Sequence, residues 1–248
     1  MKTKSRIRSK SLSRVIEMKL DHQLVEARFL SRPNRFLAMV AISGRSHACY
    51  LANPGRLREL LVPGHKVYVK PQTGKTRKTS YDLVLVSADT LVSVDSRVPN
   101  ALLREALELK TVPEFCDYEI AAKEHVFEDS RLDFLLKGRD CKMLLETKSC
   151  TLVKGDTALF PDAPTPRGAR HLDRLSDAAA HGLPAAMLFI VQRIDAARFS
   201  PNEQTDPAFC RALRYATSKG VKARAYTCHV TTEEIRLARE IPVSIPPV

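Results

Sequence analysis

Two acids and a lysine in the middle of this sequence have the residue types and spacing of a metal-dependent phosphodiester site. Glu146 and Lys148 stand two residues apart at the end of an apolar run, so a strand places both on one face. Asp133 interrupts an apolar run just upstream. Two carboxylates can hold a divalent cation that activates water, and a lysine can position the nucleophile or the phosphorus. The spacing alone is also compatible with a surface salt bridge.

Whether the two acids share a face depends on the loop between two predicted strands, 131–136 and 141–149. If 137–140 is that loop, Asp133 lies diagonal to Glu146 on the same face, with backbones about 7–8 Å apart. A slip of one residue would turn Asp133 to the opposite face.

A predicted helix over 166–180 adds two basic side chains. Arg167 and His171 lie four residues apart, on one side of its first turns. Positive charge at this end opposes the helix dipole and suits contact with a phosphate. A helix with a solvated basic face remains the alternative.

Short β-rich runs fill residues 35–95 and must form a separate unit. They predict about five strands and one short helix at 56–61, which is typical of a small barrel such as the OB-fold. A small antiparallel sheet of another topology stays open. The polar loop 73–79 carries three cations that can follow a phosphate backbone or form an ordinary solvated turn: Lys75, Arg77 and Lys78.

After residue 97 the pattern changes to helices alternating with strands. A helix over 101–110, with Asn100 as its N-cap, is followed by three strands and then by the remaining elements. These are a helix at 166–180, a strand at 185–192, a helix at 207–219 and a strand at 221–230. This order predicts a mixed α/β sheet covered by helices. We therefore expect a basic flexible tail over 1–14, an OB-like nucleic-acid-binding domain over 15–95 and a second domain over 96–248.

The charge of this 248-residue chain is divided unevenly. The formal net charge is +12, and residues 1–98 carry all of it, with 19 Lys+Arg against 7 Asp+Glu, whereas residues 99–248 carry 21 of each. Such asymmetry favours a polyanion-binding module joined to a second module. It argues against a hydrolase of small phosphodiesters, because a small ligand needs no extended cationic surface.

Composition also bears on membrane association and on the state of the cysteines. No apolar run approaches the roughly 20 residues of a membrane span, so no membrane partner is expected. The six cysteines form no close pair or zinc-like cluster, which favours reduced, mostly buried thiols in a cytoplasmic protein.

The chain resembles the sugar fermentation stimulation protein A family in a set of segments with matching order and spacing. They are Ser130–Leu135, Leu145–Ser149, Leu159–Asp162 and Arg167–Leu172, with Arg32–Phe36, Asn53–Gly55 and Arg198–Pro201 extending the likeness. The resemblance covers roughly residues 25–240 and is much more specific than the ExK spacing alone.

The resemblance implies an OB-like domain followed by a PD-(D/E)xK nuclease-like α/β domain. It implies Asp133, Glu146 and Lys148 as catalytic residues, Mg²⁺ or Mn²⁺ as cofactor, and DNA, RNA or both as substrate. Glu124 resembles a third metal-binding acid, although a salt-bridge role fits it equally. We also expect Arg56 to contact nucleic acid, and the sequence leaves a homodimer open.

Two functions follow from the resemblance. One is a metal-dependent nuclease that hydrolyses phosphodiesters, and the other is a non-catalytic DNA-binding regulator of sugar (maltose) metabolism genes. Retention of the two acids and the lysine favours the nuclease. A clear helix-turn-helix, which would favour a sequence-specific regulator, is not apparent in the sequence.

Overall fold

Two large sheets follow one another along the chain. The structure is a computed structural model that describes residues 18–20, 23–74 and 77–247, so the predicted basic tail lies outside it. The first seven strands are β1 (Met18–Lys19), β2 (Val25–Asn34), β3 (Leu37–Ile42), β4 (Arg45–Tyr50), β5 (Lys66–Pro71), β6 (Tyr81–Ser87) and β7 (Leu91–Ser93). Strands β2 to β7 form one sheet, whereas β1 joins the second.

The first sheet closes into a small barrel. Its strand order is β4-β3-β2-β5-β6-β7. A further parallel pairing of β4 with β6 closes the five strands β4-β3-β2-β5-β6 into a ring. Burial alternates along β3, where Ala38 and Val40 are fully buried, so one face points inward. Phe29 and Leu83 fill the same core. The predicted small barrel is confirmed.

Turn geometry corrects one predicted element of the barrel. Ser43 and Gly44 both have positive φ, 49° and 78°, as a two-residue hairpin turn requires. The helix predicted over 56–61 is wrong, because this segment forms only turns. Leu57 has a φ of 50°, which a right-handed helix cannot contain.

The remaining elements build a mixed α/β domain. They are α1 (Val98–Glu108), a 3₁₀ turn (Pro113–Phe115), β8 (Glu119–Phe127), β9 (Ser130–Lys137), β10 (Lys142–Cys150), β11 (Val153–Lys154), β12 (Thr157–Phe160), α2 (Pro166–Ala180), β13 (Ala185–Val191), β14 (Arg198–Pro201), α3 (Pro207–Ser218), β15 (Lys222–Val230) and β16 (Glu234–Ile241). The main sheet has the order β1-β16-β15-β13-β10-β9-β8. Strands β11, β12 and β14 form a small separate sheet.

Parallel strands lie at the centre of the main sheet and helices cover both faces. β13 pairs in parallel with β10 and β15, and every one of its residues is buried. One face packs on α1 through Leu102 and Leu103, and the other packs on α2 and α3 through Leu172 and Leu213. The predicted mixed sheet is confirmed, and α2 spans the range predicted for it.

The described chain does not start in the barrel. β1 pairs antiparallel with β16, with Met18 opposite Ile235. We expected all of residues 15–95 to belong to the OB-like domain, but this short strand covers the edge of the second sheet. Covering a sheet edge protects its unpaired backbone groups.

Composition predicted unpaired, mostly buried thiols, and this prediction is confirmed. All six cysteines are unpaired, and four of them are buried. Among the described residues, no helix is both long enough and apolar enough to cross a membrane.

Gln192, which is fully buried, fastens the barrel to the second sheet. Its Oε1 accepts a hydrogen bond of 2.8 Å from the Ser93 hydroxyl. Its Nε2 donates to the Asp95 carbonyl at 3.2 Å and to the Ser149 hydroxyl at 2.9 Å. A fully satisfied buried amide ties β7 of the barrel to β10 and β13 of the sheet.

A second contact joins the loop after β12 to the loop after β4. The Asp162 carboxylate accepts a hydrogen bond of 3.1 Å from the Leu57 backbone N–H. The same carboxylate lies against Gly55, where an added Cβ would come within 2.6 Å of both carboxylate oxygens. Glycine is therefore required at position 55 by close approach of the other domain.

We expect Gly55→Ala to weaken this contact between the domains. The methyl group would push the Asp162 carboxylate away from the Leu57 N–H, at the cost of about 1–3 kcal/mol that overpacking usually carries. Thermal unfolding should show a Tm lower by several degrees. Gly74→Ala is the matched control, because its Cβ would meet only flexible side-chain carbons of Arg77 at 3.3 Å or more. Equal Tm values for the two variants would show that position 55 has room.

Candidate functional site

The β9–β10 hairpin brings the two predicted acids together. Lys137 pairs with Lys142 and Phe134 with Leu145, and continuing this register places Asp133 directly opposite Glu146. The loop is 138–141, closed by a hydrogen bond of 2.8 Å from the Gly138 N–H to the Cys141 carbonyl. The expected register is therefore wrong by two residues. A shift of two keeps both side chains on one face, so they face each other instead of lying diagonally.

Side-chain hydrogen bonds replace the strand ladder at this point. Asp133 Oδ2 accepts from both the backbone N–H and the hydroxyl of Thr147, each at 2.7 Å. The Asp133 N–H donates to Glu146 Oε2 at 3.1 Å. Asn100 of α1 donates from Nδ2 to Asp133 Oδ1 at 2.7 Å. Both carboxylates are thus held in place from β9, β10 and α1.

Glu146 is only 3% exposed and has two basic neighbours. Its Oε1 lies 2.5 Å from Lys148 Nζ and 2.5 Å from His171 Nδ1. Arg167 donates from Nε to His171 Nε2 at 3.2 Å, which leaves the imidazole proton on Nδ1, directed at Glu146. His171, predicted to contact nucleic acid, is instead a buried partner of Glu146, because its helix packs onto the sheet.

The pKa values of the two neighbouring carboxyls are shifted in opposite directions. Burial, with the nearby charge of Glu146, raises the pKa of Asp133, although the Thr147 hydrogen bonds oppose this. Burial alone would also raise the pKa of Glu146. The Lys148 ammonium and His171 outweigh burial and hold that pKa below its ordinary value. Acids with pKa values driven apart in this way are typical of functional sites.

The donor set suits a hard divalent cation. Asp133 and Glu146 present carboxylate oxygens on one face, and Mg²⁺ commonly takes one or two carboxylates with water and phosphate oxygens completing its shell. Among the described residues, no group of three His, Cys, Asp or Glu side chains forms a complete metal cage. The arrangement fits a cation shared between protein and substrate.

Glu124 does not reach the other two acids. Its φ is 50°, which interrupts the regular strand geometry of β8 next to Asp133. Its side chain is 72% exposed and lies 3.4 Å from Arg131. The structure places Glu124 in the surface ion pair that was its alternative role, and it is not part of the carboxylate pair.

The cationic loop of the barrel also differs from expectation. Lys75 lies outside the described residues. Arg77 is ion-paired with Asp82, whose side chain is only 4% exposed, so its charge is largely committed within the protein. Lys78 remains exposed on the surface. Of the two cations of this loop that the structure describes, Arg77 is ion-paired and Lys78 is exposed, and contact of Lys75 and Lys78 with nucleic acid stays a prediction.

A cleft of about 760 Å³ between the two domains contains the carboxylate pair. Its lining includes Arg35, Asn53 and Gly55 from the barrel, Pro99 and Asn100 from α1, and Asp133, Glu146, Lys148 and Arg167 from the second domain. Arg56 is exposed beside Gly55 at the edge of this loop. Basic side chains from both domains, Arg35, Lys148 and Arg167, therefore line the cleft that contains the carboxylates.

Asn100 has a role that the sequence did not predict. It was expected to cap α1, but the helix begins at Val98 and the cap position is Arg97, with no side-chain cap. Asn100 instead reaches Asp133 across the domain, at a sequence separation of 33 residues. Nothing in the local sequence signals such a contact.

The raised pKa of Asp133 predicts that the metal-free protein is stabilised by Asp133→Asn at pH values above that pKa. The folded protein binds this proton more tightly than the unfolded chain, so stability falls as pH rises through the raised pKa. We expect a Tm increase of a few degrees in EDTA above that pKa, and none at low pH. Glu124→Gln removes an exposed carboxylate and serves as control. A lower Tm for Asp133→Asn at high pH would contradict this account.

Most of the chain is similar to a set of known proteins. Residues 30–94 match the family described as SfsA N-terminal OB domain, and residues 97–234 match the Sugar fermentation stimulation protein RE domain. The Sugar fermentation stimulation protein homolog of Moorella thermoacetica is 45% identical over 231 residues, 92% of this chain and 100% of that protein. The homolog of Desulforamulus reducens is 42% identical over 224 residues, 90% of this chain and 93% of that protein.

A solved structure supports the same relationship. Pyrococcus furiosus SfsA, solved in complex with Ca²⁺, superimposes with a TM-score of 0.86 and 31% identity, covering 93% of this chain and 99% of that chain. The fold, the two matched domains and identity of this extent show that the chain belongs to the sugar fermentation stimulation protein (SfsA) family.

Proposed function

We propose that this protein is a metal-dependent nuclease that hydrolyses DNA or RNA phosphodiesters in the cleft between its two domains. The observation that supports this most directly is the pair of opposed carboxylates, Asp133 and Glu146, with Lys148 within 2.5 Å of Glu146. A protein that only binds nucleic acid has no need for buried negative charge where phosphate must approach. The Ca²⁺ in Pyrococcus furiosus SfsA is a further reason to expect a divalent ion.

Each side chain has a role in this proposal. Asp133 and Glu146 would hold the cation, which supplies water activation and charge stabilisation at phosphorus. Asn100 and Thr147 keep the Asp133 carboxylate oriented. The Lys148 side chain, 13% exposed, lines the cleft, where its ammonium would stabilise a non-bridging phosphate oxygen.

The basic residues of the cleft would bind the polyanion. Arg35 faces the cleft from the barrel, and the ion pairs of the described residues do not include it. Arg167 faces it from α2 while donating to His171. Because cations lie on both walls of the cleft, the nucleic-acid strand would pass between the two domains. This path would bring a phosphodiester over the carboxylates.

Single substitutions of the carboxylates test the nuclease. We expect Asp133→Ala and Glu146→Ala to abolish cleavage with Mg²⁺ or Mn²⁺ and to weaken cation binding, since each removes a ligand. Nucleic-acid binding should be kept or strengthened, because negative charge is lost beside the phosphate. Lys148→Ala should abolish cleavage but still bind the cation.

Cleavage rates with labelled DNA and RNA, beside cation-binding isotherms, provide the measurement. Glu124→Ala is the matched control, because it removes an exposed acid on the neighbouring strand. This variant should cleave at the wild-type rate. Wild-type cleavage by Asp133→Ala and Glu146→Ala would remove the nuclease proposal. A non-catalytic DNA-binding regulator would then be the better interpretation.

The position of Arg35 predicts its effect on salt dependence. We expect Arg35→Ala to reduce the slope of log K against log salt by roughly 0.7–0.9, the contribution of one phosphate contact. Arg139, an exposed residue in the loop at the far end of the β9–β10 hairpin, is the control. Binding isotherms at several salt concentrations would measure both slopes. An unchanged slope for Arg35→Ala would place the strand outside this wall of the cleft.

A further inference from the structure

Phe36 and Tyr50 form an aromatic platform on the barrel surface that the proposed chemistry does not use. Phe36 lies in the turn between β2 and β3 and is 44% exposed, one of only five large apolar side chains exposed among the described residues. Its ring centroid lies 6.4 Å from that of Tyr50, and the two rings are 22° from parallel. Two neighbouring, nearly parallel rings at the surface offer a flat apolar area on which another planar ring can stack.

Two arginines lie next to this aromatic platform. The Arg97 guanidinium lies 6.0 Å from the centroid of the Tyr50 ring and is also ion-paired with Asp95 and Asp82. Arg35, adjacent to Phe36 in the turn, lines the cleft. Arg97 directly precedes α1, whose Asn100 holds Asp133. The aromatic platform therefore adjoins the cleft and continues toward the carboxylate pair.

Arg32 holds the turn that carries Phe36 in one conformation. Its guanidinium donates to the carbonyls of Arg35 at 2.8 Å and of Asn53 at 2.9 Å. It also donates to the carbonyls of Gly55 and Arg56, both at 2.7 Å. Four carbonyls on one guanidinium fix the turn against the cleft wall, so the exposed ring is preorganised for binding.

We propose that the aromatic platform stacks unpaired nucleobases, so that this protein acts on nucleic acid with a single-stranded segment beside the cleft. This deepens the proposed nuclease and takes from it only the identity of the ligand. A base inside a duplex has both faces covered by its neighbours, whereas an unpaired base offers a flat face to an aromatic ring. Arg35, which the ion pairs of the described residues do not include, complements a phosphate of such a strand, and all the excess positive charge of the chain lies in residues 1–98.

The test compares nucleic-acid probes in EDTA, where no cleavage can proceed. Phe36→Leu keeps an apolar side chain and removes the aromatic face. Fluorescence anisotropy should show binding to a single-stranded oligonucleotide weakened roughly 5–150-fold, the range expected for loss of one base–aromatic stack. Binding to the duplex of the same sequence, and to an abasic strand with the same number of phosphates, should change by less than about twofold. Tyr215→Leu, which removes another exposed aromatic ring with its own nearby lysine, should leave all three affinities unchanged.

Other outcomes would overturn the proposal. Unchanged single-strand affinity of Phe36→Leu removes the aromatic platform, as does an equal loss for all three probes, since stacking requires bases. A change from dimer to monomer in Phe36→Leu with unchanged single-strand affinity would make this surface a contact between two copies of the chain. Cleavage by the wild type in Mg²⁺ separates the two proposals. If the wild type does not cut but Phe36→Leu selectively loses single-strand affinity, the aromatic platform stands and the nuclease falls. If the wild type cuts but Phe36→Leu binds the single strand normally, the nuclease stands and the aromatic platform falls.

Discussion

The placement of a buried carboxylate, Glu146, beside a half-buried one, Asp133, is the constraint on which the rest of this structure depends. Asp133 and Glu146 face each other across β9 and β10, where desolvation and mutual repulsion both oppose their ionisation. Donors from several elements offset these terms: the Thr147 amide and hydroxyl from β10, Asn100 from α1 and His171 from α2. Both layers of helices are therefore tied to one point of the sheet. A divalent cation would neutralise the negative charge of the two carboxylates that these donors only partly offset.

The second consequence of this arrangement is a shared cleft. The carboxylates lie where the sheet meets the barrel, so the opposite wall must come from another domain. Gln192 and Asp162 each bridge the two domains, and Gly55 allows their close approach. The barrel thus acts as one wall of the site, and these polar contacts position it together with an apolar core in which Val84 and Leu85 of the barrel pack with the second domain.

The two domains contribute side chains of opposite charge to the cleft. The barrel side supplies cations such as Arg35, while the neutral second domain supplies buried acids compensated locally by Lys148. Not every basic residue is available to a ligand. Arg77 is committed to Asp82, and Arg32 is committed to backbone carbonyls. The number of usable phosphate contacts is smaller than the net charge suggests.

The sequence by itself determined the barrel, the mixed sheet, the family and the shared face of Asp133 and Glu146. These follow from local periodicity and from motif spacing, and side-chain parity survives a register error of two residues. Only the tertiary structure decided that His171 is buried against Glu146, that Asn100 holds Asp133, that Glu124 lies apart and that Arg77 is paired internally. Each of these depends on which distant or neighbouring group faces a given side chain. That is set by how helices and strands pack in three dimensions, and no local pattern of residue types records it.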